Sequence, residues 1–192
     1  MFNMPRQQCF RLAVVFAPVL LLAFVIVFPK LIYANEEDDF LALMKRKEYP
    51  SAIRVATKLI NELESSSKKD FANLMLYYHL RGLAYDEIKD YNKAISDYTK
   101  ALEFKENNRD LWTETIFVRA RSYYFADKMK EAISDFSEWL KIGTPSKELE
   151  MQAYMYRGEC YLSLRMAEES VKDFSYYING NPTNEGGWLT QS

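Results

Sequence analysis

From Phe71 onward the chain sets bulky, small and aromatic residues three or four positions apart: Tyr78, Gly82 and Tyr85, then Ala94, Tyr98 and Ala101. Residues so spaced share one face of an α-helix, and the pattern predicts helices in pairs. Glycine and proline number only six each, too few for the many turns of a sandwich or barrel. The chain therefore reads as long helices joined by short turns.

The helical pattern is itself periodic. Arg81-Gly82-Leu83-Ala84-Tyr85 returns 38 residues later as Arg119-Ala120-Arg121-Ser122-Tyr123, and after 38 more as Arg157-Gly158-Glu159-Cys160-Tyr161. A second motif keeps the same spacing: Ala94-Ile95-Ser96-Asp97-Tyr98, Ala132-Ile133-Ser134-Asp135-Phe136, and Ser170-Val171-Lys172-Asp173-Phe174. Two motifs holding one period over three copies define a structural repeat.

These positions resemble the tetratricopeptide repeat. That family pairs a bulky residue, a small residue four places on and an aromatic three further along on a first helix, then a small residue and an aromatic on a second. Tyr78, Gly82, Tyr85, Ala94 and Tyr98 match in the first copy. Ile116, Ala120, Tyr123, Ala132 and Phe136 match in the second, where Trp139 replaces the later small residue. Tyr154, Gly158, Tyr161, Ser170 and Phe174 match in the third, which closes at Pro182. The resemblance implies an all-α fold, a right-handed superhelical solenoid of about four helix-turn-helix hairpins, since no hairpin buries both its faces alone. It covers residues 71–182 as three repeats.

A degenerate capping hairpin is expected over residues 35–65, because Tyr49-Pro50-Ser51-Ala52-Ile53 echoes Tyr91-Asn92-Lys93-Ala94-Ile95. Its first helix would run from about Glu36 to Lys47, with Phe40 at the usual small position. Residues 183–192 form a short tail, in which Trp188 either covers the last helix or leaves Phe174, Tyr177 and Ile178 with an open apolar edge. The period exceeds the family's usual length of about 34 residues by roughly one helical turn. That surplus falls between a second helix and the next first helix, which predicts longer second helices or looser turns between units.

Residues 1–34 differ in kind. Arg6 and Arg11 precede the apolar run Leu12–Phe28, broken only by Pro18, and the polar run Asn35–Asp39 follows. This order fits a secretory signal peptide cleaved after Ala34, or an uncleaved membrane anchor of marginal length. Both readings put the body across the membrane, as a periplasmic or secreted domain or an anchored one. Without this leader, 22 basic residues face 27 acidic ones, and no basic cluster suits a nucleic acid. Cys160 is the one cysteine of the body and reads as a small buried hydrophobe.

Catalytic chemistry is not legible. His79 is the only histidine, no cysteine pair holds metal-ligand spacing, and no glycine loop cradles phosphate. The expected protein is therefore a scaffold without cofactor, metal or catalysis. Its partner would be a segment of another protein, with a membrane contact only through an uncleaved leader. In the resembling family the concave groove is lined by first-helix residues. Carried over, these are Leu76, His79, Leu83, Asp86 and Glu87; Glu114, Phe117, Arg121, Tyr124 and Phe125; and Gln152, Met155, Glu159, Leu162 and Ser163. Two alternatives stand beside the groove: a structural subunit self-associating as a homodimer through the last helix, and a non-catalytic subunit completing another chain's site. The recurring Arg81, Arg119 and Arg157 are expected to pair with Asp97, Asp135 and Asp173, which keep the same period.

Overall fold

The computed structural model describes residues 39–143 and 146–180. The leader, Glu36, Thr144, Pro145, Pro182, Trp188 and the tail 183–192 lie outside them. The described residues form eight helices and no strand: α1 (39–45), α2 (Tyr49–Ser65), α3 (Phe71–Glu87), α4 (Tyr91–Leu102), α5 (Arg109–Phe125), α6 (Met129–Ile142), α7 (Lys147–Ser163) and α8 (Ala167–Gly180). Consecutive helices from α2 to α8 pack pairwise, and α3 also touches α5 as α5 touches α7. First helices thus line one side of an array of hairpins.

Each turn within a hairpin is built alike. Lys47, Lys89, Asp127 and Arg165 adopt φ near +60° (62°, 62°, 59° and 61°) immediately after the first helix. The next amide then reaches back to close the helix, as Asp90 N–H does on the Tyr85 carbonyl (2.9 Å) and Lys128 N–H on that of Tyr123 (2.9 Å). This is the helix-ending motif that usually employs glycine. The left-handed Lys47 also ends α1 at residue 45, two residues before the expected limit. Helix starts are capped by side chains: Asp70 accepts from Asn73 N–H, Asp90 from Lys93, Asn108 from Leu111 and Ser146 from Leu149. Pro50 occupies the first turn of α2, where its missing N–H costs nothing.

The surplus of the period does not lengthen the second helices. The first helices α3, α5 and α7 have 17 residues each, against 12 in α4 and 14 in α6 and α8. Between α4 and α5 the connection includes a 3₁₀ turn, Lys105–Asn107. Helix α6 runs one half-turn longer than α4 and its linker is correspondingly shorter, so the 38-residue spacing survives.

Small residues set the helix spacing. A Cβ on Gly82 would lie 2.5 Å from the Tyr98 ring, and one on Gly158 would lie 3.0 Å from Phe174. The first hairpin inverts this pair. Phe40 is buried where Gly82 stands later, and Ala56 occupies the register of Tyr98. Bulk has changed helices, and the space is filled either way.

The arginines are structural, as their shared period suggested. Arg81 binds Asp97 through two N–H groups (2.7 and 2.7 Å), Arg119 binds Asp135 (2.7 and 3.0 Å), and Arg157 binds Asp173 (2.7 and 2.7 Å). Each has a third bond backwards, to a hydroxyl on the preceding second helix: Thr57, Thr99 and Ser137 respectively. The planar guanidinium suits such a fork. One side chain thereby ties a hairpin together and ties it to its predecessor.

Candidate functional site

The two junctions among the three repeats hold equivalent positions of opposite chemistry. At the first, between the α3–α4 hairpin and α5, buried polar groups meet. Asp86 accepts from the Tyr98 hydroxyl (2.9 Å) and the Ser122 hydroxyl (2.7 Å), while Arg121 stands 3.8 Å away. Burial raises the Asp86 pKa, opposed by the Ser122 and Tyr98 hydrogen bonds.

His79 Nδ1 lies 2.8 Å from Thr115 Oγ1, and the Thr115 hydroxyl donates to the Leu111 carbonyl (2.6 Å). Its one hydrogen being so used, Thr115 accepts from His79, which is the neutral Nδ1–H tautomer. Burial lowers the His79 pKa to about 4.

At the second junction, between the α5–α6 hairpin and α7, the same register places Phe117 for His79, Ala153 for Thr115, Tyr124 for Asp86, Phe136 for Tyr98 and Cys160 for Ser122. Phe117 packs on Trp139 (centroids 4.9 Å) and edge-on to Phe136 (5.8 Å), and Phe136 stacks on Tyr156 (5.8 Å, 7°). Tyr124 reaches across to donate to Glu159 (2.5 Å). Cys160 is buried, with its thiol pKa pushed up to about 12 by burial, an unreactive hydrophobe as expected.

A cavity of about 640 Å³ opens at this apolar junction. Phe117, Val118, Trp139, Ile142 and Leu149 supply its apolar lining, with Thr113 and Gly143 beside them. Arg109, Asp110, Glu114 and Arg121 supply charged walls. An apolar floor with a few placed polar groups is the usual make-up of a recognition pocket.

Of the groove residues expected from sequence, the cavity gathers Glu114, Phe117 and Arg121. Tyr124, Phe125, Met155 and Glu159 lie further along α5 and α7, with Phe125 and Leu162 exposed. The structure places four of the expected positions in packing or internal hydrogen bonds. His79 is buried between units and Asp86 is nearly so, because each bonds a neighbouring helix and presents no free surface. Leu83 and Leu76 are half-buried against the core, so they chiefly pack.

Trp139, Ile142 and Leu149 were not expected. Trp139 had a visible signal: it stands at the register of the buried Ala101, where the repeat pattern asks for a small residue. The misfit marks the site.

Comparison with known proteins agrees with this geometry. The sequence profile of the tetratricopeptide repeat matches residues 77–108. In fold, the chain is similar to the crystal structure of BtubC (BKLC) from P. vanneervenii, at 17% identity and a TM-score of 0.63 over 94% of this chain and 71% of that one. It is also similar to the crystal structure of MamA, at 17% identity and a TM-score of 0.61 over 93% of this chain and 96% of the other. No curated protein matches it in sequence. The described residues thus form an all-α solenoid of tetratricopeptide type, and repeats of the matched kind generally bind other proteins or peptides. Neither the repeat profile nor these folds indicate an enzyme. Among the described residues no cluster of side chains suits a metal ion, and no helix is long and apolar enough to cross a membrane.

Proposed function

We propose that the chain is a protein-binding scaffold that seats an apolar side chain of a partner segment in the cavity between α5, the end of α6 and the start of α7. The observation that carries this reading is the cavity's make-up: an apolar floor of Phe117, Trp139, Ile142 and Leu149 under the charged walls Glu114 and Arg121. A buried apolar anchor supplies affinity, and the charges select the flanking residues. Residues 1–34 support display of the scaffold on the non-cytoplasmic side, released or anchored, by their basic-apolar-polar order.

Leu149 is the residue to test, because it is exposed and its loss does not disturb the core. Leu149→Glu in the full-length chain is expected to weaken capture of the native partner by about tenfold or more, with the helical circular dichroism unchanged. An unchanged partner set at unchanged affinity would remove the cavity from the mechanism.

A further inference from the structure

Each hairpin receives its successor through one repeated device. The third guanidinium bond of Arg81, Arg119 and Arg157 falls on Thr57, Thr99 and Ser137 of the preceding second helix. On α8 the same register is held by Ser175. Its hydroxyl donates to the Val171 carbonyl (2.7 Å), as that of Thr99 does to Ile95 (2.7 Å), and no described arginine reaches it. The apolar part of the device repeats too. Ile95 and Leu102 on α4, and Ile133 and Leu140 on α6, are buried or half-buried where the next first helix packs. Their counterparts on α8, Val171 and Ile178, are 64% and 53% exposed. A crevice of about 560 Å³ follows this face past Ser175.

We propose that the outer face of α8 docks the first helix of a tetratricopeptide-type hairpin belonging to a different polypeptide, with an arginine aligned on Ser175. The face continues, residue for residue, the surface that α4 offers α5 and α6 offers α7. A second copy of this chain does not supply the matching helix. Its α1 carries Asp39 at the arginine register, and Arg81, Arg119 and Arg157 already place their third bond on Thr57, Thr99 and Ser137 of the same chain. Head-to-tail stacking of copies would bring a carboxylate to Ser175 in place of the guanidinium. The face shares no residue with the cavity against α5, so the two docking sites operate independently.

Two experiments on the full chain decide this. In the first, a photo-crosslinking amino acid replaces Ile178 in the native cells and the adduct is mapped by mass spectrometry. An adduct to an arginine-bearing first helix of another tetratricopeptide-type protein is expected, reduced about tenfold by Val171→Lys. Adducts only to residues 181–192 of the same chain, only to a second copy, or to nothing would each overturn the proposal. In the second, residues 143–180 are repeated once after Gly180, which presents this face with an arginine-bearing helix of known sequence. The lengthened chain should unfold in one transition with Tm raised by about 5 °C. Val171→Lys should abolish that gain while leaving the Tm of the unlengthened chain unchanged. A separate low-temperature transition for the added unit would show that α8 offers no docking register.

Discussion

The junction before α5 and the junction before α7 are copies of one design in opposite chemistry. The first is closed by buried polar pairs, His79 with Thr115 and Asp86 with Tyr98 and Ser122. The second substitutes Phe117, Ala153, Tyr124, Phe136 and Cys160 at those positions. Hydrogen bonds demand defined distances and leave little tolerance for an intruding ligand. Apolar packing is non-directional, and a cavity opens beside Phe117 and Trp139, which stand at the registers of His79 and Ala101. The comparison points to a division of labour: one junction fixes the array, and the other holds the cavity proposed to bind.

Breaking the polar junction should have the largest effect. Asp86→Ala leaves the Tyr98 hydroxyl buried without its acceptor and Ser122 with only the Val118 carbonyl (2.9 Å), at a cost of about 2–3 kcal/mol in denaturant unfolding. The triple exchange Asp86→Tyr, Tyr98→Phe and Ser122→Cys copies the second junction and removes donors along with acceptor. It should therefore be less destabilising than the single change. If the single change is the milder of the two, the polar network is not what closes this junction.

His79 provides a pH test with a defined sign. Its pKa falls to about 4 in the folded chain because burial penalises the imidazolium, against an unfolded value of about 6.5. Between these values the unfolded chain binds more protons, so stability is full above about pH 6.5 and is lost as pH falls towards 4. The loss from pH 7 to pH 5 should be about 2 kcal/mol. Glu114, whose carboxylate lies 3.9 Å from Nε2, is 64% exposed and offsets little of this. Asp86, with a raised pKa, acts with the opposite sign, so the difference between the native chain and His79→Phe is the quantity to measure. His79→Phe installs the residue of the second junction and should flatten that part of the profile. Parallel pH profiles for the two proteins would contradict the assignment.

The repeat was legible because packing constrains residue size at fixed intervals, and size is visible in a sequence. The Arg81–Asp97 pair and its two copies were legible for the same reason, since both partners keep the period. The hydroxyls of Thr99 and Ser137 keep it as well, and their role could have been inferred from spacing alone. The groove was harder. Helices α3, α5 and α7 lie between neighbours and carry apolar residues on most sides, so periodicity gives their faces no direction. His79 thus looked like a groove residue although it is buried between units, whereas Phe117, also buried, does line the cavity. Leu149 and Ile142 belong to helix ends that approach α5 only once the hairpins stack, which no local pattern encodes.

The smallest effect concerns the glycines beside these junctions. Alanine is favoured over glycine within a helix by about 1 kcal/mol, so each Gly→Ala exchange begins with a gain. At Gly82 the new methyl would stand 2.5 Å from the Tyr98 ring, and Tyr98 is held at its far end by Asp86. The ring has little room to retreat, and Gly82→Ala should lose about 1–2 kcal/mol net. At Gly158 the nearest atom is 3.0 Å away, on the half-buried Phe174, which has no hydroxyl to anchor it. A small shift of that ring relieves its contact, and the Asp173 Cβ at 3.3 Å needs to give only a few tenths of an ångström, so Gly158→Ala should cost less than Gly82→Ala. The second unit already carries Ala120 against Phe136 at this register, both fully buried, which shows that an unanchored ring accommodates the methyl. Pairing Gly82→Ala with Tyr98→Phe sharpens the test. If the anchor is what makes Gly82 intolerant, freeing the ring should recover part of the loss, so the double variant will lie above the sum of the two single changes.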